Sequence, residues 1–457
     1  MHKEIIATID IGSSKIIAAA GEKNEKGVIR ILALETEPIK TSVRRGRIYN
    51  VGEVSQKITS LLARLNRNLK EEIVKIYVGV GGQSLMTETH SVVEETEGAI
   101  VDEQLLQSLR EKCENYQPDF LEVLDIVSPE YFINGETEEK PIGVSCEKIE
   151  AQFKLILGNP AIKRNIDLCI SNNDIEIAGY FIAPIATATA TLTDLEKKLG
   201  CALIEFGAGV TYLSIYKNNL LKHLVTIPLG ANAITKDISS LNIVDEEAEN
   251  LKIKYGYALV NGKKEDNYPE KITANDKEIG TNELNDIIEA RVNEIIENVK
   301  NQLEISGFSD ALGNGIIITG GGAVLKNLAE SIEEKTKQKV RIAFVKDELV
   351  DADSSKYIQF PGIEETIGLL SLGTENCVKV VERPIVPPLA QTEITNLFGE
   401  VIPDAERTRG TRKPPVKKEN KERENLFTKL ARGAVKVSGN LFDSADSTGE
   451  DDDENPN

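Results

Sequence analysis

The strongest constraint in this sequence is a short pattern that occurs twice. Ile9-Asp10-Ile11-Gly12-Ser13-Ser14-Lys15-Ile16-Ile17 lies near the N-terminal end, and Ile204-Glu205-Phe206-Gly207-Ala208-Gly209-Val210-Thr211-Tyr212 lies near the middle. Each copy reads as an apolar strand ending in an acid, a turn of small residues, and a second strand. Each opens a stretch of comparable length, so the sequence predicts two homologous halves. Apolar-acid-apolar-Gly is common by chance, and the pairing carries more weight than either copy alone. At 457 residues, 40% of them hydrophobic, the chain is long enough to pack two such halves.

A turn of Gly and Ser between two strands points several backbone N–H groups at one spot, a concavity suited to phosphate oxygens. Gly12, Gly207, Ala208 and Gly209 leave room for the ligand. Ser13, Ser14 and Lys15 add hydroxyl and ammonium donors in the first copy, and Thr211 a hydroxyl in the second. Asp10 and Glu205, just before each turn, are placed to hold a hydrated Mg²⁺ between β- and γ-phosphates. A lone copy would read as an ordinary β-hairpin turn. The duplicate tips the balance, together with a third turn at Gly320-Gly321-Gly322. That turn follows the apolar run Ile316-Ile317-Ile318-Thr319, read as a buried strand entering glycines and then a helix. Its bare backbone would admit a flat purine and ribose. Gly79-Val80-Gly81-Gly82 resembles part of a dinucleotide fingerprint, but no acid closes a second strand about 20 residues later, so it reads as structural.

Composition narrows the function classes. A net charge of −20 argues against nucleic acid as the main partner, because a phosphate backbone needs a basic face. Five scattered cysteines without a CxxC pair fit reduced thiols, and three histidines form no metal-ligand spacing or triad. The chain opens almost at once on strand-like Ile5 to Ile9, with no signal-peptide pattern and no apolar run of about 18 residues. The expectation is a cytoplasmic protein whose membrane contact is peripheral.

Between the copies, 55–69 reads as an amphipathic helix, 75–80 as a strand, and 83–158 as a mixed region with a polar turn at Asn134-Gly135-Glu136. The run 184–199 reads as one helix with Pro184 at its start, small Ala and Thr residues, and Gly200 as a stop. Small residues let a helix pass close to a neighbour, which suits a crossing between halves. In the second half 245–255, 282–306 and 364–372 read as helices, with a polar hairpin-like patch between the first two. From Pro384 the composition turns to Pro and charge, a linker over 384–423. Periodicity returns over 424–442. Phe427, Leu430, Ala434, Val437 and Leu441 form one apolar stripe that Leu426 and Phe442 widen. Lys429, Arg432 and Lys436 are its charged residues, the pattern of an interfacial helix drawn to anionic lipid. Gly433 and Gly439 weaken that helix by about 1 kcal/mol each, and the acidic end 443–457 opposes lipid binding.

The order of these motifs resembles the actin superfamily: an acid-Gly-small-small hairpin, an acid-Gly-small-Gly hairpin, then strand-Gly-Gly-Gly. Within it the chain is similar to the FtsA family of bacterial division proteins, over most of residues 3–383. Val78-Gly79-Val80-Gly81-Gly82 adds to the likeness, as does Ala248-Glu249-Asn250-Leu251-Lys252 followed by Tyr255-Gly256. The resemblance implies an α/β fold of duplicated ribonuclease-H-like lobes with an inserted subdomain. Its divisions would be 1A at 1–82 and 159–199, 1C at 83–158, 2A at 200–239 and 307–383, and 2B at 240–306. It implies ATP and Mg²⁺ as ligands, with Glu249 and Lys252 reaching the adenosine; alone, that pair reads as a solvated i,i+3 contact. Glu205, Ala208 and Val210 depart from the usual Asp, Gly and Thr, so slow or absent turnover is expected rather than an enzyme. The resemblance further implies self-association into filaments, capture of the FtsZ C-terminal peptide on 240–306, recruitment of later division proteins, and a place on the cytoplasmic membrane face at the septum. Lys252, Lys254, Lys263, Lys264 and Arg291 are basic candidates for the peptide. A sugar or acetate kinase, a pilus-assembly homologue and a chaperone share the superfold. Nothing in the tail suits a kinase, and no substrate domain follows for a chaperone.

Overall fold

Strands buried on both faces need near-continuous apolar sequence, and Ile5 to Ile11 and Ile316 to Thr319 are of that kind. They belong to a computed structural model described here over residues 4–261, 268–274 and 277–379. The linker 384–423, the tail helix 424–442, the acidic end 443–457, Lys263 and Lys264 lie outside the described residues.

The first half opens with β1 (Ile5–Ile11), β2 (Lys15–Lys23) and β3 (Ile29–Pro38), then a small hairpin of β4 (Val43–Arg44) and β5 (Arg47–Ile48). Helix α1 (Val51–Leu69) buries Val54, Ile58, Leu61, Leu62 and Leu65 at helical spacing. It begins earlier than its periodicity suggests because the Asn50 side chain accepts the Glu53 N–H and caps it. After β6 (Lys75–Val80) comes an insertion of β7 (Met86–Glu95), α2 (Glu103–Glu114), β8 (Glu122–Ile133), β9 (Glu136–Glu138) and β10 (Lys148–Gly158). The polar turn at Asn134-Gly135 joins β8 to β9, with both residues at positive φ. Then follow α3 (Ala161–Ser171), β11 (Glu176–Ile182), α4 (Ala183–Thr191) and α5 (Asp194–Leu199).

The second half repeats the scheme with β12 (Cys201–Phe206), β13 (Thr211–Lys217) and β14 (Leu220–Ile227). Helices α6 (Ala231–Ser239) and α7 (Asp245–Tyr255), the hairpin β15 (Lys271–Ala274) and β16 (Lys277–Gly280), and the long α8 (Thr281–Ser306) lead to β17 (Ile316–Thr319). The half ends with α9 (Leu328–Thr336), β18 (Val340–Ile342) and α10 (Glu364–Leu372).

Topology makes the duplication explicit. The first sheet has the order β11-β6-β1-β2-β3, with β1, β2 and β3 antiparallel and β1, β6 and β11 parallel. The second contains β18-β17-β12-β13-β14 in the same order and with the same directions. Through the pair Val225 and Met86 it continues into the inserted strands β7-β10-β8-β9. The fold is therefore actin-like: two lobes of one ribonuclease-H-like plan, one carrying an insertion. Equivalent helices α4 and α10 cross between the lobes so closely that a Cβ on Gly368 would run into the Ala186 carbonyl.

Two expectations need correction. The run 184–199 is not one helix. It breaks at Leu192, which is extended, and restarts where Thr193 and Glu196 form a reciprocal capping box. The helix after Gly320-Gly321-Gly322 is also delayed, starting only at Leu328.

Candidate functional site

Both repeated turns are built alike. Gly12 N–H donates to the Lys15 carbonyl at 3.1 Å, and Gly207 N–H to the Val210 carbonyl at 3.0 Å. A Cβ at either glycine would press on that carbonyl, so the turn itself demands glycine. Strand register matches Asp10 opposite Ile17 with Glu205 opposite Tyr212. The turns also touch: a Cβ on Gly209 would collide with Ser13. The Gly207 and Ala208 carbonyls accept the first N–H groups of α6, from Ala231 at 3.0 Å and Asn232 at 2.8 Å. This fixes the second turn to that helix start.

The third turn closes the floor. Gly320 has φ +89°, and Gly322 N–H donates to the Phe206 carbonyl at 2.8 Å. A Cβ on Gly320 or Gly322 would crowd Phe206, whereas a Cβ on Gly321 would meet nothing within 4 Å. Gly320 and Gly322 therefore serve the backbone, and Gly321 faces open space.

These turns surround a cavity of about 1000 Å³. Asp10, Gly12, Ser13, Ser14, Lys15, Glu205, Gly207, Ala208, Gly209, Glu249, Lys252, Gly320, Gly321 and Gly322 all line it. Thr211 does not. It is fully buried, and its hydroxyl donates to the Leu229 carbonyl at 2.8 Å, so the idea that it offers a ligand hydroxyl is corrected. The register decides this, since Thr211 pairs with Phe206 and Ile227 inside the sheet.

The acids have unusual company. Asp10 is pushed up to about 7, chiefly by burial, with Lys15 pulling the other way. Glu205 is pushed up to about 8 by burial and by the charges of Asp10 and Glu364, with the nearby Thr187 hydroxyl opposing the shift. The Glu205 Oε2 is buried without a partner among the described residues. Two further carboxyls at the start of α10, Glu364 and Glu365, are also raised by burial, Glu365 well above its usual range with Asp10 and Glu205 adding to it. Glu365 lines the cavity and presses on Gly79, where a Cβ would strike its carboxylate. Sequence reasoning missed both, because acids in a first helical turn ordinarily face solvent and complement the helix dipole. Among the described residues no three His, Cys, Asp or Glu side chains are placed to hold a metal directly.

On the opposite wall, the Lys252 ammonium donates to the Ala231 carbonyl at 3.0 Å, Thr235 Oγ1 at 2.8 Å and Glu249 Oε2 at 2.7 Å. That uses its three donors, so Lys252 positions Glu249, whose side chain remains 40% exposed beside the cavity. Lys15 crosses from the first turn to the Pro361 carbonyl at 3.2 Å. Gly79 and Gly81 also line the cavity, Gly81 packed on the Tyr212 hydroxyl. The residues fit a nucleotide: paired N–H cradles, an orphaned carboxylate oxygen where a hydrated cation would sit, and a glycine open to a flat ligand. Of the basic candidates for peptide binding, Arg291 is paired with Asp237 and Glu294, and Lys254 stacks on Tyr255.

Comparison with known proteins gives a consistent result. The family model described as cell division protein FtsA matches residues 202–360. The cell division protein FtsA of Porphyromonas gingivalis is 32% identical over 401 residues, covering 85% of this chain and 82% of that protein. That of Bacillus subtilis is 30% identical over 353 residues, covering 75% and 79%. Among solved structures, the PilM-PilN type IV pilus biogenesis complex matches with a TM-score of 0.58 at 15% identity, covering 81% of this chain and 99% of that one, a likeness of fold.

Proposed function

Since the chain belongs to the FtsA family of cell division proteins, we propose that it is an ATP-binding actin-like adaptor that ties FtsZ filaments to the cytoplasmic face of the membrane. The observation that carries the nucleotide half of this reading is the meeting of two equivalent glycine turns over one cavity, with Gly321 open to it. The turns' N–H groups with Ser13, Ser14 and Lys15 hold the phosphates. Asp10 and Glu205 hold the hydrated Mg²⁺, which when bound neutralises phosphate charge. Glu249 and the glycine floor receive the adenosine. Because each lobe contributes one turn, a bound nucleotide favours one lobe arrangement and so acts as a conformational switch. Turnover is slow at most.

We read the halves as subdomains 1A, 1C, 2A and 2B with the boundaries given above. The stretch 240–306 contains a groove of about 370 Å³ along α7, lined by Val244, Glu246, Glu247, Asn250, Leu251, Lys254, Tyr255 and Thr273. Val244, Leu251 and Tyr255 offer apolar contact to a short peptide such as the FtsZ C-terminus, while Glu246 and Glu247 outnumber Lys254, so apolar contact rather than charge carries this reading. The amphipathic apolar stripe with Lys429, Arg432 and Lys436 in the sequence of 424–442 supports attachment there, and we propose filament formation, septal location and recruitment of later division proteins by analogy with the family; no helix among the described residues is long and apolar enough to cross a membrane. The test pairs two measurements. Full-length protein should retain an FtsZ tail peptide at physiological salt and sediment with anionic liposomes, and truncation after residue 423 should abolish only the second. Absence of peptide binding would refute the FtsZ-tethering reading and leave the family membership standing.

A further inference from the structure

The phosphate turns are short of positive charge. Asp10, Glu205 and Glu365 face the cavity, and Glu364 is buried beside them. Lys15 is the one cation in either turn, and its ammonium already donates to the Pro361 carbonyl. Lys252 has spent its donors on Ala231, Thr235 and Glu249. Lys40, Lys236 and Lys326 also line the cavity, engaged with Glu246 at 3.7 Å, Asp245 at 3.6 Å and the Lys254 carbonyl at 3.1 Å. A nucleoside triphosphate with one Mg²⁺ still carries net negative charge, so the turns would gain from another cation.

One stands beside the turns. The hairpin of β4 and β5 reverses through Arg45 and Gly46, with φ +51° and +69°. A two-residue turn with both φ positive ordinarily takes Asn, Asp or Gly. An arginine there holds a backbone that costs about 1 kcal/mol or more. The tip is pinned to both phosphate turns. Gly46 N–H donates to Ser13 Oγ at 2.8 Å, and a Cβ on Gly209 would lie 3.1 Å from the Arg45 Cα. The Arg45 side chain is exposed and makes no ion pair or hydrogen bond among the described residues. An arginine side chain reaches about 6 Å from its Cα, enough to pass over Gly209 to whatever the turns hold.

Resting on the nucleotide reading above, we infer that Arg45 closes over the two turns onto the terminal phosphate of a bound nucleoside triphosphate, so that the site distinguishes triphosphate from diphosphate. Its planar guanidinium suits two phosphate oxygens at once. The unfavourable backbone is what keeps the side chain's root against both turns, and Gly46 couples the same contact to Gly82, which a Cβ on Gly46 would strike.

The test uses full-length protein with Mg²⁺ and calorimetric titration of ATP and of ADP. Arg45→Asn suits the left-handed turn, so the hairpin is retained while the guanidinium is removed. ATP affinity should fall about 10- to 100-fold, the worth of a charge-assisted contact, with ADP affinity changed by less than about twofold. Arg45→Lys should recover part of the difference. Equal losses for both nucleotides, or no loss in a variant folded by circular dichroism, would overturn the inference while leaving the nucleotide site standing. Wild-type protein that binds neither nucleotide would sink the nucleotide reading and this inference with it.

Discussion

Replacing Glu365 with Gln should stabilise the ligand-free protein, and by more as the pH rises. Burial holds the Glu365 carboxyl well above its ordinary 4.5, and the charges of Asp10 and Glu205 raise it further. Between 4.5 and that raised value the folded protein keeps a proton that the unfolded chain has released, so folding loses stability as pH increases. The amide has the same shape and cannot ionise. The stability difference between variant and wild type therefore starts near zero at about pH 4.5 and climbs by at most about 1.4 kcal/mol per pH unit, the linkage of one proton. Asp10 at about 7 and Glu205 at about 8 share the same repulsion, and coupled sites divide it. After that sharing the gain at pH 8 is expected to be positive and to stay below this one-proton limit. The chain has no tryptophan, so urea unfolding is best followed by circular dichroism, in EDTA, at fixed pH values from 4.5 to 8. A difference that stays flat with pH, or a variant less stable at pH 8, would refute the electrostatic account. Adding Mg²⁺ at pH 8 should narrow the gap, because the cation compensates the carboxylates that the wild type alone must bury.

Gly321→Arg should fold normally, since nothing lies within 4 Å of a Cβ there, yet lose the ATP-dependent rise in melting temperature by filling the ligand's space; a persisting rise would place the nucleotide elsewhere. Thr211→Val removes the bond to the Leu229 carbonyl and should cost about 1 kcal/mol of stability with ATP affinity unchanged in titration. Gly368→Ala should cost about 3 kcal/mol or more in denaturant unfolding, because the Ala186 carbonyl occupies the position of its Cβ and two helices must separate.

Much of this site was legible because its chemistry sits in the backbone. A turn that needs glycine at Gly12 and Gly207 writes that need into the sequence, and repetition distinguishes the pattern from chance. The same holds for Gly320, whose φ of +89° leaves few other choices. What escaped was set by long-range packing. Glu364 and Glu365 look like ordinary helix-start acids until α10 is brought against Asp10 and Glu205. Thr211 has the right residue type, but its register turns the hydroxyl into the sheet. The break in 184–199 was present locally, as Thr193 with Glu196, and was outweighed by the helical run of Ala and Thr before it.

The two turns share a backbone and divide the chemistry unequally. The first carries Ser13, Ser14 and Lys15. The second, with Ala208, Gly209 and Val210, offers N–H groups alone, and its carbonyls are committed to α6. Donors for phosphate thus sit mainly on one lobe, while the other supplies shape and the Glu205 carboxyl. Burial raises both that carboxyl and Asp10, which disfavours the charged form of each until a cation compensates it. A cation that does so leaves carboxylates engaged in holding it rather than in activating a nucleophile. Under the proposed function such a site would bind across two lobes, which is what a conformational switch requires.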